Sequence, residues 1–555
     1  MRRKGAGAIA VVGVVLLTVV AARSDDPKEA KKEGPTIVRP IVNDRADYIQ
    51  HAGCAACHEK PRQDFINEKR TEFVHLNEST TWEEKDLHRL GYEALLPEKS
   101  KLGKRMNELL GWKTKDGKPR NTWESAECLA CHSVDRHPEL ALADKRSRLD
   151  KNGVDDVFIT NGGVGCEACH GPAKDWNTPH YTAKGAGMNL RVPWRETHPE
   201  EKFVHGQIDL RNPHVRTRVC TSCHIGSAEE GKFVTHEMYA AGHPPLPGFE
   251  AAAFSRDQPY HAWPLKDVTY IKELADNKPD DAWKLFHYRA GEDPVVRLIA
   301  LGAVTTFRES MDLLRGEARR CLEAKADQSA GASLDFAHFD CYACHHDLRV
   351  DSDRQKRGYD GVPGRPRMKP TSTALLDAVV AHAVEALEPE GSATLKERAA
   401  ELKKQRAELD RAFDRRVYGD LPAVADVAGK LVMLSDQILI EMDKIKYSAD
   451  QADKLLAKLV TSANPKNKAL YDYDAARQLA WVVDQLAQGQ ANKGPALAEQ
   501  LKKLSAITPL QVRPTDKRVS IEQQLPERLK LLYTFQAERF FDAFGGLTGV
   551  RAPQK

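Results

Sequence analysis

Apolar residues recur at helical spacing through most of the C-terminal third of the chain. Thr373–Leu387 (TALLDAVVAHAVEAL), Val424–Met442 (VADVAGKLVMLSDQILIEM) and Tyr473–Gln488 (YDAARQLAWVVDQLAQ) each carry an apolar stripe with the period of an α-helix. Glu397–Phe413 (ERAAELKKQRAELDRAF) has the same period but more charge, as expected of a more exposed helix. Pro422, Pro495, Pro509 and Pro526 punctuate the pattern, and the length suits a bundle of about 5–7 helices. One further helical stretch lies earlier, from about Asp281 to Ala326, where Val295–Val304 (VVRLIALGAV) reads as a buried face.

Elsewhere in the first 350 residues the period is weak. Stretches such as AGHPPLPGFE and SRDQPYHAWPLKD are rich in proline and weakly patterned. What they carry instead is a repeated motif: Cys54-Ala-Ala-Cys57-His58, Cys128-Leu-Ala-Cys131-His132, Cys166-Glu-Ala-Cys169-His170, Cys220-Thr-Ser-Cys223-His224 and Cys341-Tyr-Ala-Cys344-His345. Each is C-x-x-C-H, the attachment signature of c-type haem. Two thiols three positions apart add across the two vinyl groups of one porphyrin, and the adjacent imidazole supplies the proximal iron ligand. At this Cys and His content a chance match is expected on the order of 0.01 times, so five matches are not coincidence. Structural zinc would pair two such elements per ion, leaving an odd motif and five unexplained histidines. A thioredoxin-like site needs one C-x-x-C and no obligatory His. The expectation is five covalent haem c groups, with His58, His132, His170, His224 and His345 as proximal ligands. The eleventh cysteine, Cys321, sits in a helical run outside every motif and reads as an inert, partly buried thiol.

Of 20 histidines, five are proximal and 15 remain. A second axial ligand is usually His or Met, and with only eight Met in the chain, bis-His ligation is the better reading. The surplus histidines concentrate in the haem region, and only His382 lies beyond Thr371. Candidate distal ligands are His88, after Trp82; His180, past the third motif; His236 and His243, seven residues apart and so expected on one helical face; and His338, just before the fifth motif. His75, His205, His214, His261 and His287 are reserves, and His346 is expected to face away from its neighbour's iron.

Gly165–Ala173 (GCEACHGPA), with Gly163-Val164 before it, resembles the third haem segment of the tetrahaem cytochrome c-554 family of ammonia oxidisers. The first motif followed by Trp82 and His88, and the order of the first four motifs, are similar as well. The resemblance covers roughly Gly53 to Gly226. It implies a haem core wrapped by helices and long loops, closely stacked haem pairs, and a second haem, that of Cys128, Cys131 and His132, without a sixth protein ligand. The fifth motif and the haem-free C-terminal region depart from that family. Ammonia-forming nitrite reductases also carry five haems, but their active haem usually has Lys in place of the motif His, and all five motifs here end in His.

Composition adds limits. A net charge of +3 over 555 residues shows no basic excess, so nucleic acid is not an expected partner. Arg2, Arg3 and Lys4 precede an apolar run, Ala6–Ala22, which reads as a signal peptide cleaved after Val20-Ala21-Ala22 or as an uncleaved anchor tethering the protein to a membrane. No Cys follows closely enough for a lipoprotein anchor. The expected organisation is signal or anchor at 1–22, flexible tether at 23–45, a pentahaem cytochrome c domain at 46–350, an Arg-, Gly- and Pro-rich linker at 351–371 and a helical domain at 372–555. The expected fold class is mainly α. The expected function is periplasmic (extracytoplasmic) electron transfer between redox partner proteins. The alternative is a redox enzyme acting on nitrite, hydroxylamine, nitric oxide or another small inorganic nitrogen or sulfur compound at an open haem, and no catalytic residue is assigned. An electron carrier is favoured over an oxidoreductase.

Overall fold

The computed structural model describes residues 48–60, 75–134, 163–181, 193–258, 264–326, 333–387, 392–489, 495–509 and 521–547, apart from 115 and several positions between 347 and 360. The N-terminal apolar run, the tether and His261 lie outside the described residues. Among those described, the protein is mainly helical, with three isolated β-bridges and no strand. The first half holds α1 (Gln50–His58), α2 (Glu78–Lys85), α3 (Lys101–Leu110), α4 (Ala126–His132), α5 (Cys166–His170), α6 (Pro199–Val204), α7 (Pro213–His224), α8 (His236–Ala240), α9 (Ala251–Asp257), α10 (Thr269–Asn277), α11 (Pro279–Phe286) and α12 (Pro294–Ala326). The second holds α13 (Leu376–Ala386), α14 (Ser392–Arg415), α15 (Leu421–Met442), α16 (Ala449–Ser462), α17 (Tyr473–Gly489), α18 (Pro495–Ile507), α19 (Ile521–Thr534) and α20 (Ala537–Gly545). No described helix is long and apolar enough to cross a membrane.

The spine is α12, 33 residues and about 50 Å long at 1.5 Å per residue. Its start is set by Pro294, which needs no N–H partner, and by Asp293, whose carboxylate accepts from Val295 N at 2.8 Å. Leu298, Ile299, Ala300 and Leu301 are all buried, so the helix is covered on every side here rather than along one stripe. Two neighbours explain this. One flank takes α7, whose last residues are the fourth motif, and another takes α15 from the C-terminal half. A side chain at Gly302 would place its Cβ 2.7 Å from Ala251 Cβ, so glycine is what admits α9. One continuous apolar core results, running from Phe249 through α12 to Leu547.

Charges at these seams are paired. Arg308 Nε donates to Asp436 Oδ1 at 2.9 Å, tying α12 to α15. Arg218 of α7 meets Glu309 of α12 at 2.9 Å, and Arg297 Nη2 donates to Asp443 Oδ1 at 2.6 Å. The 351–371 segment is held on both sides where described: Arg357 pairs with Asp340 beside the fifth motif at 2.7 Å, and Arg367 with Asp414 of α14 at 2.9 Å.

Asp209 makes a prediction about pH. It accepts from Arg211 Nε at 2.6 Å and faces His287 Nε2 at 3.4 Å. Burial acts to raise its pKa, but Arg211 and His287 overcome that and hold it well below the ordinary carboxylate range. A carboxylate with a depressed folded-state pKa contributes stability that is fully present above its unfolded value of about 3.9 and is lost as pH falls below it. Asp209→Asn is expected to cost about 3 kcal/mol at pH 7. In thermal unfolding followed by circular dichroism, the gap between variant and wild type should narrow below about pH 4; a gap independent of pH would contradict this account.

Candidate functional site

All five motifs fall on helical turns. Four occupy α1, α4, α5 and α7, and the fifth lies on a short 3₁₀ turn, Cys341–Ala343, where His345 N donates to Cys341 O at 2.8 Å. Positions i and i+3 share a helical face, so the two thiols of a motif project together with the following His beside them. No disulfide joins any of the eleven cysteines. Cys321, buried in α12, donates to Ser333 O at 3.3 Å, and burial raises its pKa.

Four motif histidines each face a second histidine from elsewhere in the chain. Ring centroids are 6.3 Å apart for His58 and His180, 6.2 Å for His224 and His88, 6.4 Å for His132 and His243, and 6.2 Å for His345 and His236. Their interplanar angles differ widely, at 14°, 87°, 81° and 29° in the same order. A fixed distance with free rotation is the mark of two groups held along a common axis. Direct ring packing would couple distance to angle, with edge-to-face and offset-stacked pairs settling at different separations. Two metal–imidazole bonds of about 2.0–2.1 Å end to end, with ring centres about 1.1 Å beyond each nitrogen, put trans centroids about 6.3 Å apart. The residues therefore fit a six-coordinate iron in each gap. Each pair offers two nitrogens, and no described group of three or more His, Cys, Asp and Glu is arranged to hold an ion. Haem iron needs only those two from the protein, because the porphyrin supplies the other four.

The second nitrogen of most of these rings is anchored. His58 Nδ1 donates to Glu78 Oε2 at 2.7 Å, His88 Nδ1 to Asp86 Oδ1 at 2.9 Å, His132 Nδ1 to Gly91 O at 2.7 Å, and His243 Nδ1 to Pro244 O at 2.8 Å. His180 Nδ1 donates to Asn177 O. Such bonds fix the tautomer that leaves the Nε2 lone pair for a metal, as ligating histidines do almost without exception. His224 is held instead by Phe249 at 5.8 Å and Phe254 at 5.0 Å. Burial pushes His224 and His243 each down to about 4, so both rings are neutral at ordinary pH.

Local chain geometry delivers the distal rings. The helix before His88, α2, ends at Lys85, because Asp86 is extended, and its carboxylate caps His88 N, opening a 3₁₀ turn at Leu87–Leu90. His236 and His243 were expected on one helical face; α8 stops at Ala240, and Gly242 turns the chain at φ +114°. The two rings consequently point to different motifs, the fifth and the second. The family resemblance implied no sixth protein ligand at the second motif, whereas here His243 stands opposite His132. His338 is not brought to a motif histidine: its ring stacks on Phe233 at 4.5 Å.

Of the reserves, His287 lies beside Asp209, His205 beside Trp194 at 6.0 Å, and His214 donates from Nδ1 to Thr305 Oγ1 at 2.7 Å. The His75 backbone N–H binds Glu78, the same carboxylate that holds His58. His51 was not singled out by the sequence: it packs on Trp82 at 4.5 Å, with Nδ1 3.8 Å from Cys166 Sγ. Nothing local marks it, because the position depends on α1 meeting α2 and α5. Glu78 escaped notice for the same reason, whereas Asp86, two residues before His88, had a local signal.

Motifs also meet one another. The thiols of Cys54 and Cys166 lie close enough to influence each other, as do those of Cys131 and Cys223; in each pair one thiol is pushed up by its partner, Cys166 by Cys54 and Cys131 by Cys223. The first motif thus adjoins the third, and the second adjoins the fourth. Against this geometry, no protein-family model, curated protein or solved structure matches the chain.

Proposed function

We propose that the chain is a five-haem c-type cytochrome that passes electrons between partner proteins outside the cytoplasm, with cytochrome c-554-like organisation over its first four motifs. The observation that carries the reading is the set of four imidazole pairs at 6.2–6.4 Å, each built on a C-x-x-C-H histidine. Haem c, when bound, supplies an iron that cycles between ferric and ferrous by one electron. The motif cysteines would hold each group covalently, the histidine pairs would cap it on both faces, and Glu78, Asp86, Gly91, Asn177 and Pro244 would orient the capping rings.

The layout supports a relay. Motif 1 touches motif 3 and motif 2 touches motif 4 through their thiols. His243 and His236 flank α8, which links motif 2 to motif 5. The two groups are joined where Val164 N, just before motif 3, donates to His88 O at 3.1 Å. Cys57, Cys341 and Cys344 are the exposed motif thiols, so the first and fifth motifs are the partner-facing ends of the relay. Two capping rings on the second motif favour a carrier over an enzyme that opens this iron to substrate.

Low-temperature paramagnetic resonance of the ferric protein tests the reading. Parallel imidazole planes donate into one iron d orbital and split the pair, giving rhombic low-spin signals; perpendicular planes donate into both and leave them nearly degenerate, giving highly anisotropic ones. Among the haems of the four paired motifs, two of each kind are expected: rhombic for His58–His180 and His236–His345, anisotropic for His88–His224 and His132–His243. A spectrum with no low-spin signal, or a protein without covalent haem, would refute it.

A further inference from the structure

Arg528, on α19 of the C-terminal half, is enclosed, yet its Nε and Nη2 are buried with no hydrogen-bond partner. A guanidinium removed from water without an acceptor costs several kcal/mol, so a folded protein does not leave one idle. Burial pulls its pKa below the ordinary value, and its charge is felt at Tyr239 and at His243, the ring facing His132. The nearest acidic influence is Asp474, at the start of α17. No hydrogen bond joins the two: Asp474 Oδ1 makes no hydrogen bond and forms a long ion pair with Arg477 Nη1 at 4.0 Å. The Arg528 fork is thus left with buried donors and no acceptor.

The missing group must be anionic, must reach the His132–His243 gap, and must suit a planar fork of N–H donors, which matches a carboxylate bidentately. We propose that Arg528 clamps a propionate carboxylate of the haem attached to Cys128 and Cys131, so that the C-terminal helices complete that haem's site. The proposal rests on the haem reading above and gives the haem-free region a part in it. Arg528 is a positioning and charge-setting residue here, since it does not touch the iron. A cation at this place favours the extra electron of the ferrous state, so its removal lowers the reduction potential of that haem.

The test uses the full chain, matured in a host that attaches haem c and fed a precursor that labels the propionate carboxylates with ¹³C. Wild type, Arg528→Gln, Arg528→Lys and Asp474→Asn are compared by haem count, by redox-induced infrared difference spectra and by potentiometric titration. Five haems are expected in each. Arg528→Gln should shift one labelled carboxylate band and lower one midpoint potential; Arg528→Lys, which keeps the charge without the fork, should shift the band and leave the potential near wild type; Asp474→Asn should leave the labelled bands in place. Labelled bands unchanged in both Arg528 variants, or displaced identically by Asp474→Asn, would overturn the proposal. If Arg528→Gln loses helix by circular dichroism, the band shift in Arg528→Lys decides. A wild type with fewer than five haems would instead defeat the haem reading itself.

Discussion

His243→Ala is expected to add one high-spin ferric haem per chain and to let cyanide or free imidazole bind there. The ring stands 6.4 Å from His132, centroid to centroid, and its Nδ1 is tied to Pro244 O at 2.8 Å. Removing it leaves the second motif with a single axial ligand, and no neighbouring ring takes its place: Tyr239, 5.9 Å from His243, offers a phenol whose pKa burial has raised. Added imidazole should restore the low-spin spectrum, because it fills the vacated volume with the same donor. His338→Ala is the control. That ring stacks on Phe233, so its loss should leave every haem's coordination as in wild type. A His243→Ala spectrum indistinguishable from wild type would show that the two rings do not share an iron.

Replacing both Cys220 and Cys223 by Ser should remove one haem and lower the melting temperature by about 3–5 °C, given that losing one large buried aromatic costs about 3–5 kcal/mol. The fourth motif ends α7, which packs along α12. Its His224 touches Phe249 and Phe254, and Phe254 in turn meets Trp481 of α17 at 5.9 Å. Gln478 Nε2 donates to Phe249 O at 2.6 Å, so both halves of the chain close over this motif. The same double substitution at Cys341 and Cys344 should also remove one haem but lower the melting temperature far less, because these thiols are exposed on a single 3₁₀ turn. Haem count by pyridine haemochromogen and thermal unfolding by circular dichroism measure both. Equal losses of stability at the two motifs would contradict the central position of the fourth.

Helices whose apolar stripe is long were legible from the amino-acid order. Leu376–Ala386, Leu421–Met442 and Tyr473–Gly489 lie where the periodicity put them. Short helices were not: α8 has five residues, too few for a period to show, and its end depends on Gly242 and the prolines after His243. Val295–Val304 read as one buried face, yet from Val296 onward the helix there is enclosed all round. Burial on the remaining sides comes from α7, α9 and α15, which arrive from 45 to 130 positions away, and no local pattern announces such neighbours.

The attachment motifs were readable for a chemical reason. On the proposed haem reading, two thiols and an imidazole must reach one porphyrin, so their spacing is local and survives in any fold. By itself the sequence determined the five motifs, the surplus of histidines around them and the helical character of the C-terminal third. Only the tertiary structure decided which histidine faces which: His180 with His58, His88 with His224, His243 with His132 and His236 with His345. Those partners are 109 to 136 positions apart, as the residue numbers give, and where such rings meet is set by how α7, α12 and α15 pack. Spacing within five residues is covalent bookkeeping, whereas pairing across a hundred is a property of the packed core.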